Sequence, residues 1–196
     1  MMYGENNGSG EVLRYIKKGT IGAEIGVWKG STSRHFVKKN LKELHLVDPY
    51  TLPSDKKQKK EMLAKKTYCE MVGGSAEKDF LAYYDSVHES ILEMFKNHNE
   101  VTMHRMTSAE WFAQVEDKTF DWIYVDGDHT FEGCYFDLVE AAKKIKPGGV
   151  MLGDDYKSLV WKGKEGVVKA VDKFTALNPQ HKFTMLDKGQ FKYEIA

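Results

Sequence analysis

The segment from Asp121 to Tyr156, DWIYVDGDHTFEGCYFDLVEAAKKIKPGGVMLGDDY, restricts the fold more than any other stretch of the chain. Asp121 to Val125 is a short apolar run rich in β-branched and aromatic residues, and Phe131, Cys134, Leu138, Ala142 and Ile145 then recur at helical spacing. Pro147, Gly148 and Gly149 are expected to stop that helix, after which Val150 to Leu152 is apolar again. The pattern predicts a βαβ unit whose two strands lie parallel in a buried sheet, since parallel strands need a crossover and helices cover their faces. Acids close both strands: Asp126 and Asp128 after the first, Asp154 and Asp155 after the second. Ligands of open α/β sheets bind at that edge. Four carboxylates converging there repel one another unless a cation or protons neutralise them.

The flanking sequence extends the alternation. Glu11 to Lys18 reads as a short packing helix, and Thr20 to Ile25 as a strand. The strand runs into GVWKGSTSRHFVKK, where Gly26 and Gly30 bracket a tight turn and Ser31 or Thr32 can cap the next helix. Leu44 to Val47 is another strand, and Pro49 prevents it from simply continuing. Asp48 at its end follows Gly26 by 22 residues. That is close to the spacing of about 20 at which an acid after the second strand meets a nucleotide ribose.

Val101 to Arg105 is a further strand, with Met106, Thr107 and Ser108 leading into a helix through Trp111, Phe112 and Val115. Past Tyr156 comes a loop with Trp161, Lys162 and Lys164, then a helix on which Val167, Val168, Val171, Phe174 and Leu177 can face the sheet. Phe183 to Leu186 and Phe191 to Ile195 read as a hairpin turning over Asp187 to Gln190. The whole is expected to be one domain over residues 1–196: a doubly wound, mostly parallel α/β sheet with a C-terminal antiparallel hairpin. Residues 50–100 exceed a minimal alternation and read as a helical insertion after the second strand, or a lid. Lys56, Lys57, Lys59, Lys60, Lys65 and Lys66 within it read as a solvated basic face rather than a phosphate or nucleic-acid patch.

Charge does not announce a partner. Lys plus Arg and Asp plus Glu balance at 29 each, so no bulk field favours nucleic acid or acidic membranes. Cys69 and Cys134 lack metal-ligand spacing and suggest reduced thiols, without a disulfide, in the cytoplasm. No apolar run approaches a signal-peptide core or a membrane span.

AEIGVWKGSTS, LHLVDPY, DWIYVDGDHTFEG and GGVMLGDDY resemble the ordered motifs of class I S-adenosylmethionine-dependent methyltransferases. The nearest group is the small metal-dependent O-methyltransferases that include macrocin O-methyltransferase, with catechol O-methyltransferase more distant. The resemblance spans residues 20–156 and implies a Rossmann-like fold. It also implies the cofactor S-adenosylmethionine, Mg²⁺ or another divalent cation, a small-molecule hydroxyl acceptor such as a sugar or catechol-like diol, and an oligomer as a further expectation. By the same resemblance, Gly26 and Gly30 let the methionine end of the cofactor approach the backbone, and Trp28 flanks the sulfonium. Ser31 or Thr32 would hold the cofactor carboxylate and Glu24 its amino end. Asp48 would accept from the ribose diol, with Thr107, Ser108 and Asp126 completing the pocket. Ser108 could equally cap its helix.

Asp126, Asp154 and Asp155 are the expected metal ligands, since hard carboxylate oxygens suit Mg²⁺. Adjacent strand residues face opposite ways, so Asp154 and Asp155 converge only if the chain leaves strand geometry after Gly153. Methyl transfer to oxygen requires the hydroxyl to lose its proton, and His129 is the candidate base, with Asp128 its rival. A dinucleotide oxidoreductase would share the fold, but the first turn lacks GxGxxG and leaves the acids unexplained. The Asn/Asp-Pro-Pro-Tyr motif of an amino-directed methyltransferase is also missing after the fourth strand; Asp48-Pro49-Tyr50 follows the second and lacks a proline. A metal-dependent hydrolase and a non-catalytic cofactor-binding module remain as alternatives.

Overall fold

The computed structural model describes residues 10–156 and 165–196, so the expected loop residues Trp161, Lys162 and Lys164 lie outside the described residues. The strands are β1 (Ile21–Ile25), β2 (Glu43–Val47), β3 (Val101–His104), β4 (Phe120–Val125), β5 (Ile145–Gly153), β6 (Lys182–Met185) and β7 (Phe191–Glu194). They form one sheet in the order β3-β2-β1-β4-β5-β7-β6. β1 to β5 are parallel, and β7 enters antiparallel between β5 and β6. Because β1 pairs with both β2 and β4, the winding reverses there, and the crevice at the carboxyl ends of these strands is the switch point of the fold.

The helices are α1 (Ser33–Phe36), α2 (Lys56–Ala64), α3 (Lys66–Val72), α4 (Glu77–Phe95), α5 (Ser108–Phe112), α6 (Phe131–Lys144) and α7 (Glu165–Leu177). Strand alternation sends Trp122 and Tyr124 of β4 to one face, where Phe36 and the α4 residues Phe80, Val87 and Ile91 cover them. Ile123 and Val125 face the other side, against Trp111, Leu138 and Val171 of α5, α6 and α7. Burying each such side chain stabilises the fold by about 1.5–3 kcal/mol. Gly22 makes room for the core indole: a Cβ there would lie 1.9 Å from Trp122 Cε2.

Several boundaries differ from the sequence expectation. α6 ends at Lys144, not at Pro147–Gly149, and Ile145 already pairs with Phe120. The last helical carbonyls are taken by backbone N–H groups from the other side of β4: Lys118 donates to Lys143 and Thr119 to Lys144. Pro147 to Gly149 instead lie in a register shift of β5, where Pro147 has no N–H to give and Gly148 adopts φ +81°. Glu77–Phe95 is the crossover that parallel β2 and β3 require, burying Phe80, Tyr84, Val87, Ile91 and Phe95, so the helical elaboration after β2 is α2 and α3. Neither α2 nor α3 has a buried residue, as a solvated lysine face requires. The N-terminal helix is only a 3₁₀ turn, Val12–Tyr15, and Leu177 is 61% exposed rather than on the sheet.

On the β2–β3 edge, His45 Nδ1 lies 3.0 Å from His104 Nε2, beside Trp111 and Phe120. Burial lowers the pKa of His45 against the opposing pull of Glu43; burial and then the neighbouring His45 lower that of His104. Folded values below the unfolded value mean that the unfolded chain binds more protons in acid. The stability is therefore complete above the unfolded pKa of about 6.5 and is lost as pH falls through it. Burial lowers His88 and His181 as well, adding to the same slope. Urea midpoints should drop from pH 7 to pH 5, and His45→Gln or His104→Gln should flatten, without abolishing, that dependence.

Candidate active site

The β1 turn is built for close approach. Gly26 has φ +88°, and a Cβ on it would lie 2.1 Å from the Asp126 carbonyl oxygen. Only glycine fits, so the ends of β1 and β4 meet at this point. Trp28, at φ +50°, is 37% exposed, and its ring lies near Tyr83 and Tyr84 of α4 at centroid distances of 6.0 Å each. Gly30, at φ +69°, closes the turn beneath Ile91. Ser31 and Thr32 follow, but Thr32 makes no side-chain cap, and α1 begins at Ser33.

Asp48 laces the second strand end to this turn. Its Oδ2 accepts from the Val27 and Trp28 amides at 3.1 and 2.9 Å, and its Oδ1 from the Tyr50 amide at 2.9 Å. A carboxylate has about four acceptor positions, so three backbone amides leave room for one further hydrogen bond. Burial raises the Asp48 pKa, and the three amide bonds oppose that rise. Glu24 is 1% exposed and accepts from the Ser33 hydroxyl. Burial pushes its carboxyl well above the usual range against the Ser33 bond, and the charges of Asp126 and Asp48 push the same way. A cation arriving beside Glu24 would relieve that burden.

The cap of α5 is Thr107, not Ser108. Thr107 Oγ1 accepts from the Glu110 amide at 3.2 Å, and Glu110 Oε2 accepts from the Thr107 amide at 2.9 Å. This is a reciprocal capping box. Ser108 instead stands beside Asp137 of α6, which the sequence reading did not single out. Asp137 is 2% exposed, and its Oδ1 has no hydrogen-bond partner among the described residues. Burial pushes its carboxyl up to about 7 against the Ser108 bond. It lies under Gly127, where a Cβ would be 3.4 Å from Asp137 Oδ2.

At the ends of β4 and β5, Asp126, His129 and Asp155 each place a ligand atom within 4.8 Å of the others. His129 Nε2 lies 2.7 Å from Asp155 Oδ2 and 3.5 Å from Asp126 Oδ1. Asp155 adopts φ +68°, so the chain does leave strand geometry after Gly153. Asp155 belongs to the clustered group, and Asp154 is held by two hydrogen bonds. Asp154 Oδ2 accepts from the Tyr124 hydroxyl at 3.2 Å and Oδ1 from the Asp155 amide at 2.7 Å. Asp128 accepts from the Thr130 amide at 2.8 Å, an Asx turn at the start of α6 that sets it apart from the three-residue group. Two carboxylates and an imidazole fit a divalent cation: the oxygens suit Mg²⁺, and the nitrogen extends the set to Mn²⁺. A groove of about 370 Å³ on α2 is lined by Lys56, Lys59, Lys60, Leu63 and Ala64, and none of the candidate residues borders it.

This strand order, with the last strand inserted antiparallel, is a Rossmann-like methyltransferase fold. Residues 23–156 match the family described as a methyltransferase domain, and the chain belongs to that family; its chemistry is S-adenosylmethionine-dependent methyl transfer. Among solved structures it is similar to a candidate O-methyltransferase from Klebsiella pneumoniae (TM-score 0.61, 14% identity, 90% of this chain and 73% of that one). It is also similar to precorrin 8w decarboxylase from Methanobacterium thermoautotrophicum (TM-score 0.58, 14% identity, 95% and 88%). A third is Aeropyrum pernix fibrillarin with natively bound S-adenosyl-L-methionine (TM-score 0.56, 11% identity, 93% and 68%). At these identities the likeness is one of fold, and the range of names shows that the fold does not choose the acceptor. No curated protein matches the chain at the sequence level. Among the described residues, no helix is long and apolar enough to cross a membrane.

Proposed function

We propose that this chain transfers the methyl group to a hydroxyl of a small molecule, a sugar or catechol-like diol, with a divalent cation at the acid cluster. One observation carries the reading. The glycine turn touches the Asp126 backbone at Gly26, and Asp126 belongs to the group that holds His129 and Asp155. A methyl donor in the turn would therefore face a base and two carboxylates.

S-adenosylmethionine supplies an electrophilic methyl on a positive sulfur. In this reading Gly26 and Gly30 admit its methionine end, and Trp28 flanks the sulfonium. Ser31 or Thr32 holds the carboxylate and Glu24 the amino group. Asp48 offers its remaining acceptor position to the ribose, and Thr107 and Ser108 border the adenine. Asp126 and Asp155, with Asp154 beside them, hold the cation, which when bound lowers the pKa of the acceptor hydroxyl. His129 takes the hydroxyl proton at Nδ1 as oxygen displaces sulfur from the methyl carbon. Its Nε2–H donates to Asp155, 2.7 Å away, which orients the ring.

Calorimetric titration with S-adenosylhomocysteine tests the pocket. Saturable one-site binding is expected, weakened about tenfold or more in Asp48→Ala, which loses both the ribose acceptor and the bonds that shape the Val27–Trp28 turn. No binding by the native chain would leave the acid cluster to be pursued as a hydrolytic metal site.

A further inference from the structure

Tyr124 is the centre of an arrangement that neither the motifs nor the family match assigns. It is the penultimate residue of β4, 1% exposed, with its ring edge-on to Phe36 at 5.4 Å. Its position reads as core. Yet its hydroxyl donates to Asp154 Oδ2 at 3.2 Å. Asp154 then uses its other oxygen to accept the Asp155 amide at 2.7 Å. That bond belongs to the turn in which Asp155 takes φ +68°, a left-handed conformation that local hydrogen bonding supports. From that backbone the Asp155 carboxylate reaches His129 at 2.7 Å.

We propose that Tyr124 is a positioning residue of the acid cluster: its hydroxyl fixes Asp154, Asp154 fixes the Asp155 amide, and Asp155 is thereby aimed at His129 and Asp126. The chain of contacts runs from core to edge without a long flexible side chain, so orientation set at Tyr124 is transmitted to the carboxylate. Groups that orient metal-binding carboxylates in this way commonly carry 10- to 100-fold in affinity. The cation half of this inference rests on the proposed function; the positional half does not.

Tyr124→Phe separates the two, because it keeps the ring against Phe36 and removes only the hydroxyl. Amide exchange by NMR reads the positional half. The Asp155 amide should exchange about tenfold faster in Tyr124→Phe and in Asp154→Ala, while the Tyr156 amide, bonded to the Gly189 carbonyl at 2.8 Å, keeps its native rate. Titration with Mn²⁺ reads the other half: affinity should fall about 10- to 100-fold in Tyr124→Phe, with S-adenosylhomocysteine affinity within about twofold of native. Native exchange at Asp155 in Tyr124→Phe would overturn the inference. So would faster exchange with unchanged Mn²⁺ affinity, since the carboxylate would then be placed by something else. If the native chain binds no Mn²⁺, the cation reading fails and the exchange rates alone decide whether Tyr124 positions Asp155.

Discussion

Asp155→Ala is expected to reduce methyl transfer by about 10³-fold while the protein remains folded, the scale of several kcal/mol that metal-assisted activation of a hydroxyl supplies. Asp155 has the least exposed side chain of the three clustered groups, at 10% against 30% for Asp126 and 41% for His129, and the shortest contact to the imidazole. In the proposed mechanism its removal takes away a carboxylate that both the cation and the base would use. Alanine at φ +68° also adds backbone strain, so Asp155→Asn is the companion variant: asparagine tolerates the left-handed region and removes only the charge. Both should be inactive in a labelled-methyl assay, both should retain native circular dichroism, and both should bind S-adenosylhomocysteine, because Asp155 is not among the residues proposed to hold it. EDTA should reproduce the loss in the native chain. Activity that survives EDTA would remove the cation from the mechanism, and an active Asp155→Asn would remove the carboxylate's charge from it.

The parts of this site that depend on residue type and local spacing were legible in the sequence. The βαβ unit, the glycine turn and the acids at strand ends are written in contiguous motifs, and Asp48 does lie at the turn opened by Gly26. What was missed depends on contacts across the fold. Lys118 and Thr119 end α6 from about 25 residues upstream, so the helix stops before its proline and glycines. The Tyr124 hydroxyl reaches Asp154 from 30 residues away in sequence, and a tyrosine within an apolar strand carries no spacing signal. Asp137 reads as the polar face of a helix until Ser108 and Gly127 cover it. The Thr107 cap is a different kind of miss. Thr107 and Glu110 stand at capping-box spacing, a signal present in the sequence that favours Thr107 over Ser108.

His129→Ala should lower the turnover rate by about 10²- to 10⁴-fold with little change in S-adenosylhomocysteine affinity, because a general base acts on the acceptor proton and not on the cofactor. In the proposed reading this residue, rather than Asp128, takes the proton: Asp128 Oδ1 accepts from the Thr130 amide, so Asp128→Asn should cost far less. The size of the His129→Ala defect should also depend on the acceptor. A sugar hydroxyl holds its proton much more tightly than a catechol, so losing the base should cost more with the sugar, and added imidazole should restore part of the rate with either. Mn²⁺ titration of the same variant separates two roles that the cluster allows. A base leaves cation affinity near native, whereas a ligand takes affinity and rate down together. A defect confined to cofactor affinity would place His129 in the pocket and return the proton to another group.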